Sequence, residues 1–157
     1  MMMHLCSDVI RGLQGRTLVT AESCTGGGIG AALTAVPGSS AVYKGGVICY
    51  TNWVKENILG VDRVVLDREG AVSAPVAQLM AKGAKERMGA DVAVSVTGLA
   101  GPAGDEFGNP VGTVYIGYCD DRECISREFH FSGDRESVRR QATEEALKLV
   151  LQKAVDF

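Results

Sequence analysis

Residues 16–28 read RTLVTAESCTGGG, an apolar run that ends in a polar, glycine-rich turn. The apolar part, residues 16–22, predicts a short buried strand, and residues 23–28 predict the turn that leaves it. A helix is expected next, because apolar side chains recur at helical spacing from Ile29 through Leu33 to Val36. A strand that passes through a tight turn into a helix is the repeating unit of α/β proteins.

The same alternation of strands and helices continues along the chain. Further strands are predicted at residues 47–51 and 91–97, and a hairpin is predicted from strands 111–119 and 124–131. Helices are predicted at residues 52–60, 73–84 and 132–155. The order of these elements predicts a three-layer α/β/α sandwich on a mixed β-sheet, with residues 1–157 forming a single domain.

Composition indicates an ordinary soluble globular protein. The chain has 157 residues, of which 46% are hydrophobic, and its net charge is −3. This acidic balance gives no support for a nucleic-acid-binding protein, which usually carries a basic surface. The N-terminus lacks a basic region followed by a long apolar run, and no segment approaches the length of a membrane span. We therefore expect a cytoplasmic protein without a signal peptide or a membrane anchor.

The histidines and cysteines argue against a metal site. His4 and His130 have no partners at the spacing of metal ligands. The five cysteines are scattered and form no C-x-x-C pair, so we expect reduced, mostly buried thiols. Cys24 has a position suited to a nucleophile, but no histidine is at hand to ionise its thiol.

A serine nucleophile with a lysine base is the leading interpretation of residues 38–55. Ser40 is expected on a turn, Tyr50 at the end of an apolar strand, and Lys55 in the first turn of the next helix. A serine attacks an amide only when a base removes its proton, and lysine can do so when burial or a helix N-terminus lowers its pKa. Tyr50 could relay the proton, hold the lysine or stabilise charge on the intermediate. The spacing by itself favours the plainer alternative, in which these residues are a turn serine, a strand aromatic and a solvated lysine.

The turn after the first predicted strand is a candidate for substrate contacts. Thr25, Gly26 and Gly27 lie where a strand ends and a helix begins, and backbone amides at such a position attract anions. Close packing of the helix on the sheet is the alternative explanation for these glycines. Asn52, at the expected start of the helix that carries Lys55, is a further candidate contact.

Two more segments complete the candidate site. Arg135 and Arg139 are four residues apart near a helix N-terminus, which suits a phosphate, although a solvated charged face gives the same pattern. A long glycine-rich loop follows residue 97, and loops of this length in compact domains are often functional. Backbone amides at Thr97, Gly98 and Gly101 could line a ligand there, unless the loop is an ordinary crossover.

In their order and spacing, these motifs resemble the CinA C-terminal domain family. The matching segments are AESCTGG at 21–27, PGSS at 37–40, GGV at 45–47, YTN at 50–52 with Lys55, GAVS at 70–73, TGLAGP at 97–102, PVGT at 110–113 and FSGDR at 131–135. The resemblance covers nearly the whole chain, from about the first helix to the last. Full-length CinA proteins carry a separate N-terminal domain, which is expected to be absent here.

The better-characterised members of this family are nicotinamide-nucleotide amidases. The resemblance therefore implies hydrolysis of nicotinamide mononucleotide to nicotinate mononucleotide and ammonia, without a metal or a cofactor, in pyridine nucleotide salvage. It also implies that Ser40 is the nucleophile and that Tyr50 and Lys55 activate it. A nucleotide-binding or regulatory module of the competence/damage-inducible type, with a pocket but no turnover, is the alternative function. The sequence leaves a homo-oligomer open.

Overall fold

The computed structural model describes residues 1–155, and residues 156–157 of the predicted domain lie outside the described residues. Its helices are α1 (Met2–Gly12), α2 (Gly28–Thr34), α3 (Asn52–Asn57), α4 (Arg63–Glu69), α5 (Ala74–Met88) and α6 (Arg135–Ala154). Its strands are β1 (Leu18–Glu22), β2 (Tyr43–Ile48), β3 (Val92–Gly98), β4 (Thr113–Cys119) and β5 (Cys124–His130). A short 3₁₀ helix, Ser39–Ala41, precedes β2.

The five strands form one mixed sheet in the order β2-β1-β3-β4-β5. β1 is parallel to both β2 and β3, whereas β4 is antiparallel to β3 and β5. The three parallel strands therefore end at the same edge of the sheet. Ligands of open α/β sheets collect at this edge, because the segments that leave neighbouring strands meet there.

Helices cover both faces of the sheet. On one face, apolar side chains of α1, α2 and α6, among them Val9, Leu33 and Leu147, pack against the sheet. On the other face the core contains Leu66 of α4 and Met80 of α5. The predicted three-layer sandwich on a mixed sheet, in a single domain, is confirmed. No helix in residues 1–155 is long and apolar enough to cross a membrane.

The position of β2 differs from the prediction. The strand spans Tyr43–Ile48 rather than residues 47–51, and it contains a glycine pair that obscured its start. Gly46 permits a close approach to β1, because a Cβ at this position would collide with the hydroxyl of Thr20. Thr51, not Asn52, is the N-cap of α3, and Lys55 is the fourth residue of that helix.

Two further features were not expected from the sequence. Helices α1 and α4 were not predicted, although Asp62 caps α4 by accepting a hydrogen bond from the amide of Val64 at 2.8 Å. The expectation of five reduced thiols is wrong for Cys119 and Cys124, which form a disulfide. These two cysteines lie opposite each other in the β4–β5 hairpin, with 4.1 Å between their Cα atoms.

Candidate active site

Lys55 makes a buried polar contact at the carboxyl edge of the parallel strands. Helix α3 holds its side chain inside the protein, with only 1% of the residue exposed. Its Nζ donates hydrogen bonds to Ser23 Oγ at 3.0 Å and to the carbonyl of Cys49 at 2.7 Å. Burial lowers the pKa of Lys55, because desolvation penalises the charged amine. The structure thus contains a serine–lysine pair, but its serine is Ser23.

Ser40 does not join this pair, which corrects the predicted convergence of Ser40, Tyr50 and Lys55. Ser40 lies exposed on the 3₁₀ helix that precedes β2, whereas Tyr50 and Lys55 follow the carboxyl end of the same strand. A strand rises about 3.3 Å per residue, so the six residues of β2 place the two ends roughly 20 Å apart. A proton cannot pass directly between groups so far apart.

Glu22 fixes the turn that carries Ser23. Its carboxylate is buried, with 2% exposure, and it accepts hydrogen bonds from the amides of Ile29 at 2.8 Å and Gly30 at 3.0 Å. The hydroxyl of Thr25 donates to the same carboxylate at 2.8 Å. A carboxylate at this place satisfies amides of the first turn of α2, which have no partner within the helix. The sequence predicted Thr25 as a contact for a ligand, but its hydroxyl instead stabilises the turn through the hydrogen bond to Glu22.

Arg139 holds the same turn from the other side. Its Nε donates to the carbonyl of Cys24 at 3.0 Å, and its Nη2 donates to the carbonyl of Thr25 at 3.3 Å. A Cβ at Gly26 would lie 3.3 Å from this guanidinium group, so glycine lets the guanidinium pack closely against the turn. Arg139 therefore acts on the backbone that follows Ser23, and it does not line the cavity in front of Ser23 and Lys55.

An open cavity of about 430 Å³ lies in front of Ser23 and Lys55. The other predicted residues that line it are Tyr50, Asn52, Thr97, Gly98, Gly101 and Arg135. Thr25, Gly26, Gly27, Ser40 and Arg139 are not among the residues that line it. Most of the predicted site is therefore assembled around one cavity, with Ser23 in the place that was predicted for Ser40.

Tyr50 and Arg135 contact each other at the mouth of this cavity. Tyr50 is 58% exposed, and its hydroxyl accepts a hydrogen bond from Arg135 Nη2 at 3.0 Å. Arg135 Nη1 donates to the carbonyl of Gly101 at 2.7 Å. The first residue of α6 thereby connects the glycine-rich loop to the segment before α3. Thr97 lies deeper, and its hydroxyl donates to the carbonyl of Ala71 at 2.8 Å.

Cys24 also lines the cavity, directly after Ser23. Burial raises the pKa of its thiol to about 12, so the thiol stays protonated near neutral pH. A protonated thiol is a poor nucleophile. Of the two neighbouring residues, only Ser23 has a base within hydrogen-bonding distance.

Comparison with known proteins agrees with the fold and the motifs. The family model of the CinA C-terminal domain matches residues 4–154. The chain belongs to the CinA C-terminal domain family. A CinA-like protein of Thermosynechococcus vestitus is 53% identical over 151 residues, which are 93% of this chain but only 36% of the relative. The chain thus spans about a third of the length of this curated relative.

Solved structures of the CinA superfamily share the fold over the whole chain. A superfamily protein from Klebsiella pneumoniae has a TM-score of 0.96 at 36% identity and covers 100% of this chain and 99% of that one. A superfamily protein from Escherichia coli has a TM-score of 0.95 at 39% identity, covering 98% of this chain and 90% of that one. Both show that the mixed five-stranded sheet with its flanking helices is the fold of the family.

Proposed function

We propose that this CinA domain is an amide hydrolase that converts nicotinamide mononucleotide to nicotinate mononucleotide and ammonia. The observation that carries the proposal is the buried hydrogen bond of 3.0 Å between Lys55 Nζ and Ser23 Oγ. It supports the proposal because a serine–lysine hydrolase needs a serine hydroxyl and an amine in contact, and these two line a cavity of about 430 Å³. The substrate follows from the resemblance of the motifs to nicotinamide-nucleotide amidases.

Burial prepares Lys55 to act as a base. An exposed lysine is protonated near neutral pH and cannot accept a proton, whereas burial lowers the pKa of Lys55 and favours the neutral amine. The carbonyl of Cys49 accepts a second hydrogen bond at 2.7 Å and aims the amine towards Ser23. The amine of Lys55 is therefore held next to Ser23 Oγ and has a lowered pKa, as proton transfer requires.

The reaction proceeds in two steps that use the same pair. Ser23 Oγ attacks the carbonyl carbon of the carboxamide as its proton passes to Lys55 Nζ. The tetrahedral intermediate collapses when ammonia leaves with the proton from Lys55, and the nicotinoyl group remains as an ester on Ser23. Water then attacks the ester, gives its proton to Lys55, and releases the nicotinate carboxylate as Ser23 regains a proton.

Arg135 is the group that we assign to the substrate phosphate. It lines the cavity, it is exposed, and its guanidinium can hold a phosphate through two parallel hydrogen bonds. Tyr50 accepts a hydrogen bond from Arg135, so a phosphate bound there would also lie near the phenol. Tyr50 is on this account a substrate-orienting group at the cavity mouth, with Lys55 acting directly on Ser23.

A nucleotide-binding module without turnover is the second candidate function. The buried Lys55 argues against it. Burying an amine costs free energy, and a module that only binds a nucleotide does not need a buried amine. The two functions differ in whether the carboxamide bond is broken.

The proposal is tested by measuring ammonia release from nicotinamide mononucleotide, with a chelator present. The dinucleotide and free nicotinamide, which lack the free phosphate or the whole ribotide, serve as comparison substrates. We expect stoichiometric ammonia and nicotinate mononucleotide, with the mononucleotide preferred. A folded protein whose melting temperature rises with the mononucleotide but which releases no ammonia would overturn the amidase and support the binding module.

A further inference from the structure

A second cavity adjoins the catalytic one. It has a volume of about 320 Å³ and shares four lining residues with the first cavity, namely Asn52, Ala71, Val72 and Leu99. The two spaces therefore form one groove, which runs from Ser23 and Arg135 towards helix α4 and the loop of residues 103–109. A substrate bound at Ser23 has this second space beside its reacting group.

The two cavities differ in charge. The charged group that lines the first cavity is the guanidinium of Arg135, beside the buried amine of Lys55. The charged residues that line the second are Asp67, Asp105 and Glu106, all acidic. A molecule that carries one anionic and one cationic group is therefore oriented along the groove, with its anion towards Arg135 and its cation towards the second cavity.

Phe107 supplies an aromatic surface in the second cavity. The residue is 44% exposed, and its ring packs against Gly70, where a Cβ would lie only 2.7 Å from a ring atom. Asp105 Oδ1 accepts hydrogen bonds from the amides of Phe107 at 3.1 Å and Asn109 at 3.0 Å. Asn109 Nδ2 donates to the carbonyl of Val72 at 3.3 Å, which ties the loop to the cavity floor. The ring is thus held in place at the cavity wall.

We propose that the wall of this second cavity is the subsite for the cationic pyridinium ring of the substrate. The ring would lie at the junction of the two cavities, against the face of Phe107, with the carboxylates of Glu106 and Asp67 around it. A cation over an aromatic face is stabilised by the ring quadrupole, and nearby carboxylates add to this attraction. This inference rests on the proposed amidase function and adds a position for the charged ring of its substrate.

The test compares the binding of nicotinamide mononucleotide with that of its reduced form, in which the ring is neutral. Dissociation constants are measured by calorimetry in the Ser23→Ala background, so that neither ligand is consumed. We expect Phe107→Leu to weaken binding of the cationic ligand about 3- to 10-fold and that of the neutral ligand less than about 2-fold. Phe107→Tyr should restore the preference, because it restores an aromatic face.

The carboxylates are tested in the same way. The double variant Asp67→Asn, Glu106→Gln should lower the preference for the cationic ligand, whereas Asp8→Asn on the remote helix α1 should leave it unchanged. An unaltered preference in both the Phe107→Leu and the double variant would overturn the ring subsite. If the wild-type protein still hydrolyses the mononucleotide in that case, only the subsite fails. If the wild type neither binds nor hydrolyses it, the proposed function fails as well.

Discussion

Lys55 Nζ lies 3.0 Å from Ser23 Oγ, although 32 residues separate the two in the chain. The contact exists because β1 and β2 are parallel neighbours, so the segments that follow them meet at one edge of the sheet. Ser23 follows β1 directly, and Lys55 lies in the helix that follows β2. The fold itself therefore brings the hydroxyl of Ser23 and the amine of Lys55 together.

Replacing Lys55 by methionine should remove the base while preserving the packing. We expect kcat to fall by about 10²- to 10⁴-fold, the usual contribution of a positioned general base. Thermal stability should stay the same or rise, because an apolar side chain of similar length replaces a buried amine. Enzyme assays and thermal unfolding of the same preparation check both points. A variant that loses activity only because it has become unstable would contradict the catalytic role.

The lowered pKa of Lys55 predicts the pH dependence of the reaction. Only the neutral amine accepts a proton, so kcat/KM should rise with pH and level off below 10.5, the ordinary value for lysine. A pH–rate profile of the wild type measures this limb directly. An increase in kcat/KM centred at pH 10.5, the ordinary pKa of lysine, would contradict a buried base.

The same shift in pKa affects stability. Between the lowered pKa of folded Lys55 and 10.5, the unfolded chain binds a proton that the folded protein has lost. The free energy of unfolding should therefore increase with pH across this window, relative to that of Lys55→Met. Urea unfolding of both proteins at several pH values provides the comparison, and a difference that is constant with pH would contradict the shift.

Arg135 and Arg139 should respond differently to mutation. Arg135→Ala should raise KM about 10- to 100-fold with a smaller change in kcat, because a charge-assisted contact to the phosphate is lost. Arg139→Ala should instead lower kcat, since its guanidinium holds the carbonyls of Cys24 and Thr25 beside Ser23. Steady-state kinetics of the two variants separate the roles. A larger effect on KM in Arg139→Ala than in Arg135→Ala would reverse our assignment of the phosphate.

Glu22→Gln should destabilise the protein by about 1 to 3 kcal/mol. The amide nitrogen of glutamine donates hydrogen bonds, so it cannot replace a carboxylate oxygen that accepts from the amide of Gly30. The exposed Glu69→Gln, which removes the same charge from the surface, is the matched control and should change little. Chemical denaturation measures both, and equal stabilities of the two variants would show that the Glu22 hydrogen bonds contribute nothing.

The fold class was predictable from the sequence because its signals are local. The apolar run of β3 and the periodic spacing of α5 identify a buried strand and its covering helix without knowledge of the whole chain. The boundaries of β2 were not predictable in this way. Gly46 is needed for a close approach to β1, and that requirement appears only once the two strands are paired.

The wrong bounds predicted for β2 explain why Ser40 was expected next to Lys55. With a strand at residues 47–51, Ser40 would lie on a turn well before the strand, and the segment between them could have brought it near Lys55. The observed strand begins at Tyr43, so Ser40 and Lys55 lie at its opposite ends. Tyr50, Lys55 and Arg135, which line the cavity, were selected from the sequence because their own residue types indicate chemistry. Ser23 was present in the sequence as the residue directly after a buried strand, and the position of ligands at strand ends was the signal that could have identified it.

Two serine variants decide whether Ser23 is the nucleophile. Ammonia release from nicotinamide mononucleotide is measured for Ser23→Ala and Ser40→Ala under identical conditions, after circular dichroism has shown that both are folded. We expect Ser23→Ala to lose turnover by several orders of magnitude, whereas Ser40→Ala should stay close to the wild type. Full activity in Ser23→Ala, or loss of turnover in Ser40→Ala alone, would contradict Ser23 as the nucleophile.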